Sequence, residues 1–331
     1  MADFGAEVYF DSVGRMVDLE GVRSVRLLTQ IELKGPWDDQ WFQIKQGLGW
    51  RAPNTEIMVI PTISGGGWDT GSGIMRRTFQ VAFEGWSLAD YNTIALNFSR
   101  NQNGPGSPGV YFRANIYEVA ASSTNQGFGI QITNGSAFTE INDQSHLGFI
   151  VHKAEGWVNG KWRVPDNVPN RGSCIIFASW DNGGISVDYD DFDKSFETMG
   201  GQAWFRILVV STNFRPWRTE GYGIEIYDAN GNVTLSNSHA PIHLPVMGNL
   251  GNTGNGMPWG QDSMVSLLRH GVYTDRNGNS PRMFYGAIVM GGGIVQMRRG
   301  RQFYYSSQGG IQDGIVAPNI TVPYLHAARY F

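Results

Sequence analysis

The sequence is short of charge, of cysteine and of long apolar runs. Of its 331 residues only 25 are Lys or Arg and 29 are Asp or Glu, a charged share of 16%, against a usual share of about 25%. Aromatic residues reach 13%, so a disordered chain, which would be charged and poor in aromatics, is excluded. The formal net charge of -4 gives no basic footprint for nucleic acid. The single cysteine, Cys174, cannot form an internal disulfide. It opens the apolar run Cys174-Ile175-Ile176-Phe177, where a buried, inert thiol is expected. No apolar run approaches the ~18 residues of a membrane helix; Ile57-Met58-Val59-Ile60 and Ile207-Leu208-Val209-Val210 are strand-sized. The opening Met1-Ala2-Asp3-Phe4-Gly5 lacks a basic segment leading into an apolar one, so no secretion signal and no membrane insertion are expected.

What the chain does have is glycine, 44 residues, about twice the usual share. That abundance argues against a helical bundle, where glycine is the weak point. The glycines follow no three-residue period, which excludes collagen. A Gly/Asn/Ser-punctuated, aromatic-rich chain is the pattern of an all-β protein with many turns.

Self-similarity is the most informative feature. Phe4-Gly5-Ala6-Glu7-Val8-Tyr9, Phe128-Gly129-Ile130-Gln131-Ile132-Thr133 and Tyr222-Gly223-Ile224-Glu225-Ile226-Tyr227 each read aromatic, glycine, then alternating apolar and polar. Such alternation makes a strand with one buried face. The first continues into Asp11-Ser12-Val13-Gly14 and the third into Asp228-Ala229-Asn230-Gly231, while the second turns sooner, at Asn134-Gly135-Ser136. These are hairpin signals, because Asp and Asn brace the turn and Gly accepts its positive φ. Downstream, Pro53, Pro169 and Pro281 each precede an apolar run and then a glycine cluster. The expectation is three tandem related antiparallel β-sandwich-like modules over 1–124, 125–220 and 221–331, with long Gly-rich loops and little helix. One short helix is expected over Ser263–Gly271, with serine as cap and glycine as stop. Exposed loops are expected at 101–109 and 250–258.

Catalytic strings are scarce. Asp69-Thr70-Gly71-Ser72 has the look of an aspartic-protease loop, but no second copy exists in the chain and Gly65-Gly66-Gly67-Trp68 precedes it instead of an apolar strand. A Gly-rich turn is the better reading. Asp188-Tyr189-Asp190-Asp191-Phe192-Asp193 could gather oxygens for Ca²⁺, yet no EF-hand spacing is present and a solvated strand end is expected. His239 and His243 stand four apart with Pro241 between them, which argues against a helix carrying both, and no Cys or Glu completes a zinc site. His146 and His239 follow the second and third hairpins, which suggests a repeated structural role. Nucleophile-elbow, phosphate-loop and zinc-protease motifs are all missing. No catalytic residue, metal ligand or cofactor is assigned. Arg76-Arg77 and Arg298-Arg299 both follow Gly-rich turns and are candidates for docking onto an acidic partner, or else strand-edge charges that discourage aggregation. The tryptophans crowd the first two modules. Trp37, Trp41, Trp68 and Trp259 are the candidates for receptor or glycan contact, although most tryptophans in a chain of this kind fill the core.

The block Gly221-Tyr222-Gly223-Ile224-Glu225-Ile226-Tyr227-Asp228-Ala229-Asn230-Gly231-Asn232-Val233-Thr234-Leu235 resembles the short β module common in tail-tip and tail-fibre-associated proteins of tailed bacteriophages. The opening Met1 to Asp18 is similar to the N-terminus of the same group. The resemblance implies a non-enzymatic structural protein of the virion's distal tail, made in the bacterial cytoplasm. Its implied partners are other tail proteins; symmetric self-assembly, taken as a trimer, and contact with a host receptor or glycan are further expectations. Competing readings are a lectin-like protein acting through Trp-rich loops, a capsid decoration protein and a glycan-degrading enzyme whose carboxylates come from distant strands.

Overall fold

The computed structural model describes residues 7–19, 22–35, 43–70, 77–100, 109–121, 129–134, 137–142, 147–217, 223–228, 230–250, 257–258, 260, 262–277, 280–291, 294–305, 314–316 and 319–331. Among them there is no α-helix, only two single 3₁₀ turns at Arg171–Ser173 and Ala327–Arg329. The protein is all-β and built from antiparallel ladders.

Each self-similar block folds as a two-stranded ribbon apart from the larger sheets. β1 (Glu7–Phe10) pairs with β2 (Arg15–Asp18). β3 (Val25–Lys34), β4 (Gln43–Gly47), β5 (Thr55–Ile63), β6 (Gly65–Thr70), β7 (Arg77–Asp90), β8 (Thr93–Arg100) and β9 (Val110–Ala120) follow the first ribbon. The second ribbon is β10 (Gly129–Asn134) with β11 (Ala137–Asn142). After it come β12 (Phe149–Arg163), β13 (Ile175–Trp180), β14 (Ser186–Asp190) and β15 (Ser195–Ser211). The third ribbon is β16 (Glu225–Tyr227) with β17 (Val233–Ser236). Its turn works as the sequence predicts: the Asp228 carboxylate accepts from the backbone N–H groups of Asn230 (2.9 Å) and Asn232 (2.8 Å), and Gly231 sits at φ 79°. β18 (Val246–Leu250), β19 (Met257–Pro258), β20 (Ser263–Ser266), β21 (Val272–Asn277), β22 (Ser280–Gly291), β23 (Ile294–Tyr305), β24 (Gly314–Val316) and β25 (Ile320–His326) complete the chain.

The first group of strands forms two sheets, β3-β9-β5 and β4-β8-β7-β6. The other two groups merge into one twelve-stranded sheet running β18-β25-β20-β13-β15-β14-β22-β21-β24, with β12 on β15, β23 on β22 and β19 on β23. Ladder bonds therefore cross the expected 220/221 boundary, where Phe177 faces Ser266 and Ala178 faces Val265. Alternation along the central strands feeds two cores. Met58, Ile60, Ile175, Phe177 and Met264 enter one, together with Val8, Phe10 and Val17 of the first ribbon and Leu235 of the third. Val59, Ile176, Ala178 and Val265 face the other. The strands are buried on both sides, which explains why their sequences are continuous apolar runs.

One expectation is corrected. Ser263–Gly271 is not a helix; its first four residues are β20. All four are buried, and β13 and β25 take up the ladder bonds on its two edges. A helix of two turns is marginal in water, and packing within the sheet overrides the cap-and-stop signal. Two glycines have a steric role: a Cβ on Gly286 would run into the His270 carbonyl oxygen within the third group, and one on Gly65, where the first group meets the third, would lie 2.6 Å from Gly271 Cα. The second ribbon's turn, Gly135-Ser136, and nearly all of the two expected loops lie outside the described residues.

Candidate functional site

Among the described residues, those picked out from the sequence do not form one site. Arg76, Trp37, Trp41, Trp259 and His146 lie outside the described residues. Arg77 opens β7 opposite Thr70, and its side chain lies outside the description. Arg298 and Arg299 lie exposed on β23. Arg299 donates to Asp275 at 2.6 Å and stacks over Phe284 at 4.5 Å, so its charge is already engaged within the chain. Trp68 is 7% exposed and packs in the core, which is the packing role open to any tryptophan here. Asp69 lies on β6 opposite Thr78, and the Gly71-Ser72 turn after it falls outside the described residues.

The acidic run Asp188–Asp193 departs from the solvated strand end expected of it. Asp188 and Asp191 are buried at 4% and 3% exposure. Asp191 receives Lys194 Nζ at 2.6 Å, Tyr189 Oη at 2.9 Å and Arg113 Nη1 at 2.8 Å. Asp188 faces Arg269 and Arg301, each at 3.6 Å, and accepts the Arg301 backbone N–H at 3.2 Å. Burial raises the Asp188 carboxyl above the usual range, and the two arginines counter that rise. Lys194 holds a left-handed backbone (φ 49°) while its ammonium also donates to the Cys174 carbonyl at 3.1 Å. Arg113 comes from β9, the acids from β14 and the loop after it, and Arg269 and Arg301 from the last third of the chain. The cluster therefore ties all three strand groups together. Its carboxylates already face cations, and no group of His, Cys, Asp or Glu suited to a metal ion occurs among the described residues. The Cys174 thiol is buried, and burial raises it to about 11.

A Ser-His contact also lies inside. Ser64 Oγ is 3.0 Å from His270 Nδ1, and both residues are 0% exposed. Ser64 Oγ also bonds the Arg269 carbonyl and the Gly271 N–H. Burial lowers His270 to about 4. With no path to solvent, the pair joins β5 and β6 to the β20–β21 connection and offers nothing to a substrate. His239 and His243 are likewise lowered to about 4 by burial, His239 against Phe214 and Trp217, and His243 on the Tyr330 hydroxyl at 2.8 Å.

The described surface does hold one concentrated set of exposed recognition-type side chains. On the β12–β15 ladder Glu155 faces Arg206, Trp157 faces Trp204 and Asn159 faces Gln202. Alternate residues share a face, so the three rungs lie side by side. Trp157 is 65% and Trp204 45% exposed, with ring centroids 5.9 Å apart and planes at 83°. The opposite face of the same ladder carries Val158, Ala203 and Phe205 toward the core. Just beyond, Gly160, Gly200 and Gly201 take φ of 81°, 99° and 130°, values that favour glycine, and the ladder breaks between Asn159 and Lys161. The sequence shows this alternation, but nothing in it says which face is wet.

No curated protein and no solved structure matches the chain. A family model described as a family of unknown function, DUF6453, matches residues 11–308. The match runs through all three strand groups, and the chain belongs to the DUF6453 family.

Proposed function

We propose that this protein is a non-enzymatic structural component of a bacteriophage tail tip or tail fibre, built from three related β modules and assembled with other tail proteins as a homotrimer. The observation that carries the modular part is a strand order found three times. In each group the last strand lies between the first strand and another early one: β3-β9-β5, β12-β15-β13 and β18-β25-β20. The registers agree as well. Met58, Ile175 and Met264 stand opposite Tyr117, Val210 and Leu325. The ladders of β3 and β12 shift at the same place, just after the rungs Leu27–Tyr117 and Ile150–Val210. On that superposition Phe177 and Ser266 are counterparts, and they face each other where β13 meets β20. The second and third modules are therefore related by a local two-fold through that rung.

The virion assignment is supported by the resemblance of the hairpin blocks at 1–18 and 221–235 to tail-tip and fibre modules. A chain that fuses three such modules around shared cores makes a stiff body without disulfides, which suits a particle component. The test is immunogold electron microscopy of particles from the source lysate, using antibody to the purified chain. Label at the distal tail is the expected result. Label on heads would make it a capsid decoration protein, and bare particles under an antibody that binds the native chain would overturn the virion reading. A second reading, glycan recognition, is favoured by the exposed Trp157–Trp204 pair.

A further inference from the structure

We infer that the outer face of the β12–β15 ladder is a binding site for a neutral glycan, with Trp157 and Trp204 as the stacking surface and Asn159 and Gln202 as the hydrogen-bonding rung. The inference deepens the receptor-contact part of the tail reading and rests on it for the source of the sugar.

The fold does not require this aromatic pair. The core side of the ladder is already filled by Val158, Ala203 and Phe205. Two adjacent indoles, 65% and 45% exposed, form an apolar surface of the kind that marks an interaction site.

The chemistry around them selects the ligand class. An indole face carries a negative quadrupole, which attracts the polarised C–H groups along one side of a pyranose ring. The planes meet at 83°, giving a corner that can take a ring against one indole and its edge against the other. Asn159 and Gln202 both present an amide donor and an amide acceptor, matching hydroxyls that do the same. Glu155 and Arg206 face each other with opposite charges, so that rung exerts little net pull on an ionic ligand.

The rungs themselves are sugar-sized. The three rungs run roughly 13 Å along the strands and about 10 Å across them. That is far short of the about 800 Å² per partner that a stable protein interface buries. It suits a few linked sugar rings.

The test is calorimetric titration of the intact chain with maltohexaose, cellohexaose, chitohexaose and mannohexaose. At least one should bind, with affinity falling about tenfold in Trp157→Ala and in Trp204→Ala. Trp50→Ala, which removes an exposed tryptophan elsewhere, should leave binding intact. Trp157→Phe should keep part of the affinity, which guards against loss of fold as the explanation. Failure of all four sugars to bind, or binding that survives the Trp157→Ala/Trp204→Ala double variant, overturns the inference. So does a double variant that loses self-association while the intact chain binds no sugar, since that puts a protein on this face. Tail label without sugar binding would remove this site and leave the tail reading standing. Sugar binding without label on particles would do the reverse.

Discussion

The Asp188–Asp193 cluster and the Trp157–Trp204 ladder lie on neighbouring stretches of the same sheet and reverse the usual placement of their residue types. Asp188 and Asp191 are inside, each facing Arg or Lys, and the indoles are outside. Burial in this protein follows the supply of partners. Asp191 can be interior because Arg113, Lys194 and Tyr189 converge on it from two strand groups. Trp157 can be exterior because Val158 and Phe205 already fill the space beneath its ladder. Hydropathy alone would have put each in the other's place.

The sharpest way to break this contrast is to remove one partner of the interior cluster. Lys194→Met leaves Asp191 short of its closest cation and is expected to destabilise the fold by about 3–5 kcal/mol, read as a lowered midpoint in urea unfolding. A loss below about 1 kcal/mol would mean that the cluster is wetter than its burial implies. Acid titration comes next. His239, His243 and His270 are lowered to about 4 by burial, whereas in the unfolded chain they titrate near about 6.5. The unfolded state therefore binds more protons between those values. Stability is complete above about pH 6.5 and falls as pH drops toward about 4, to be followed by thermal melts across that window. His270→Asn should flatten part of the slope. The smallest effect belongs to the exterior: Trp157→Ala should cost no more than about 1.5 kcal/mol, the value of an aromatic pair. A larger cost in the same urea assay would make the indoles structural and erase the contrast.

How far the sequence can be read follows the range of the interactions involved. The hairpins were legible because Asp228, Asn230, Gly231 and Asn232 complete their turn locally. The strand-sized runs Ile57–Ile60 and Ile207–Val210 each lie within a strand. β20 was misread as helix because its edges are satisfied by β13 and by β25, some sixty residues further on. The acid cluster was misread for the same reason: Arg113 and Arg269 are remote in sequence, and no local spacing announces them. The Trp157–Trp204 rung needed the register of β12 on β15, which neither segment encodes alone.

The rung between Phe177 and Ser266 has a consequence for how the protein comes apart. A proteolytic nick near residue 220 severs the backbone but leaves β13 and β20 hydrogen-bonded, with Leu267 N–H still donating to the Ile176 carbonyl at 2.8 Å. The pieces should stay together as a nicked whole through size exclusion. Pulling them apart would expose raw sheet edges on both, of the kind that seed aggregation, so neither is suited to life as a free fragment.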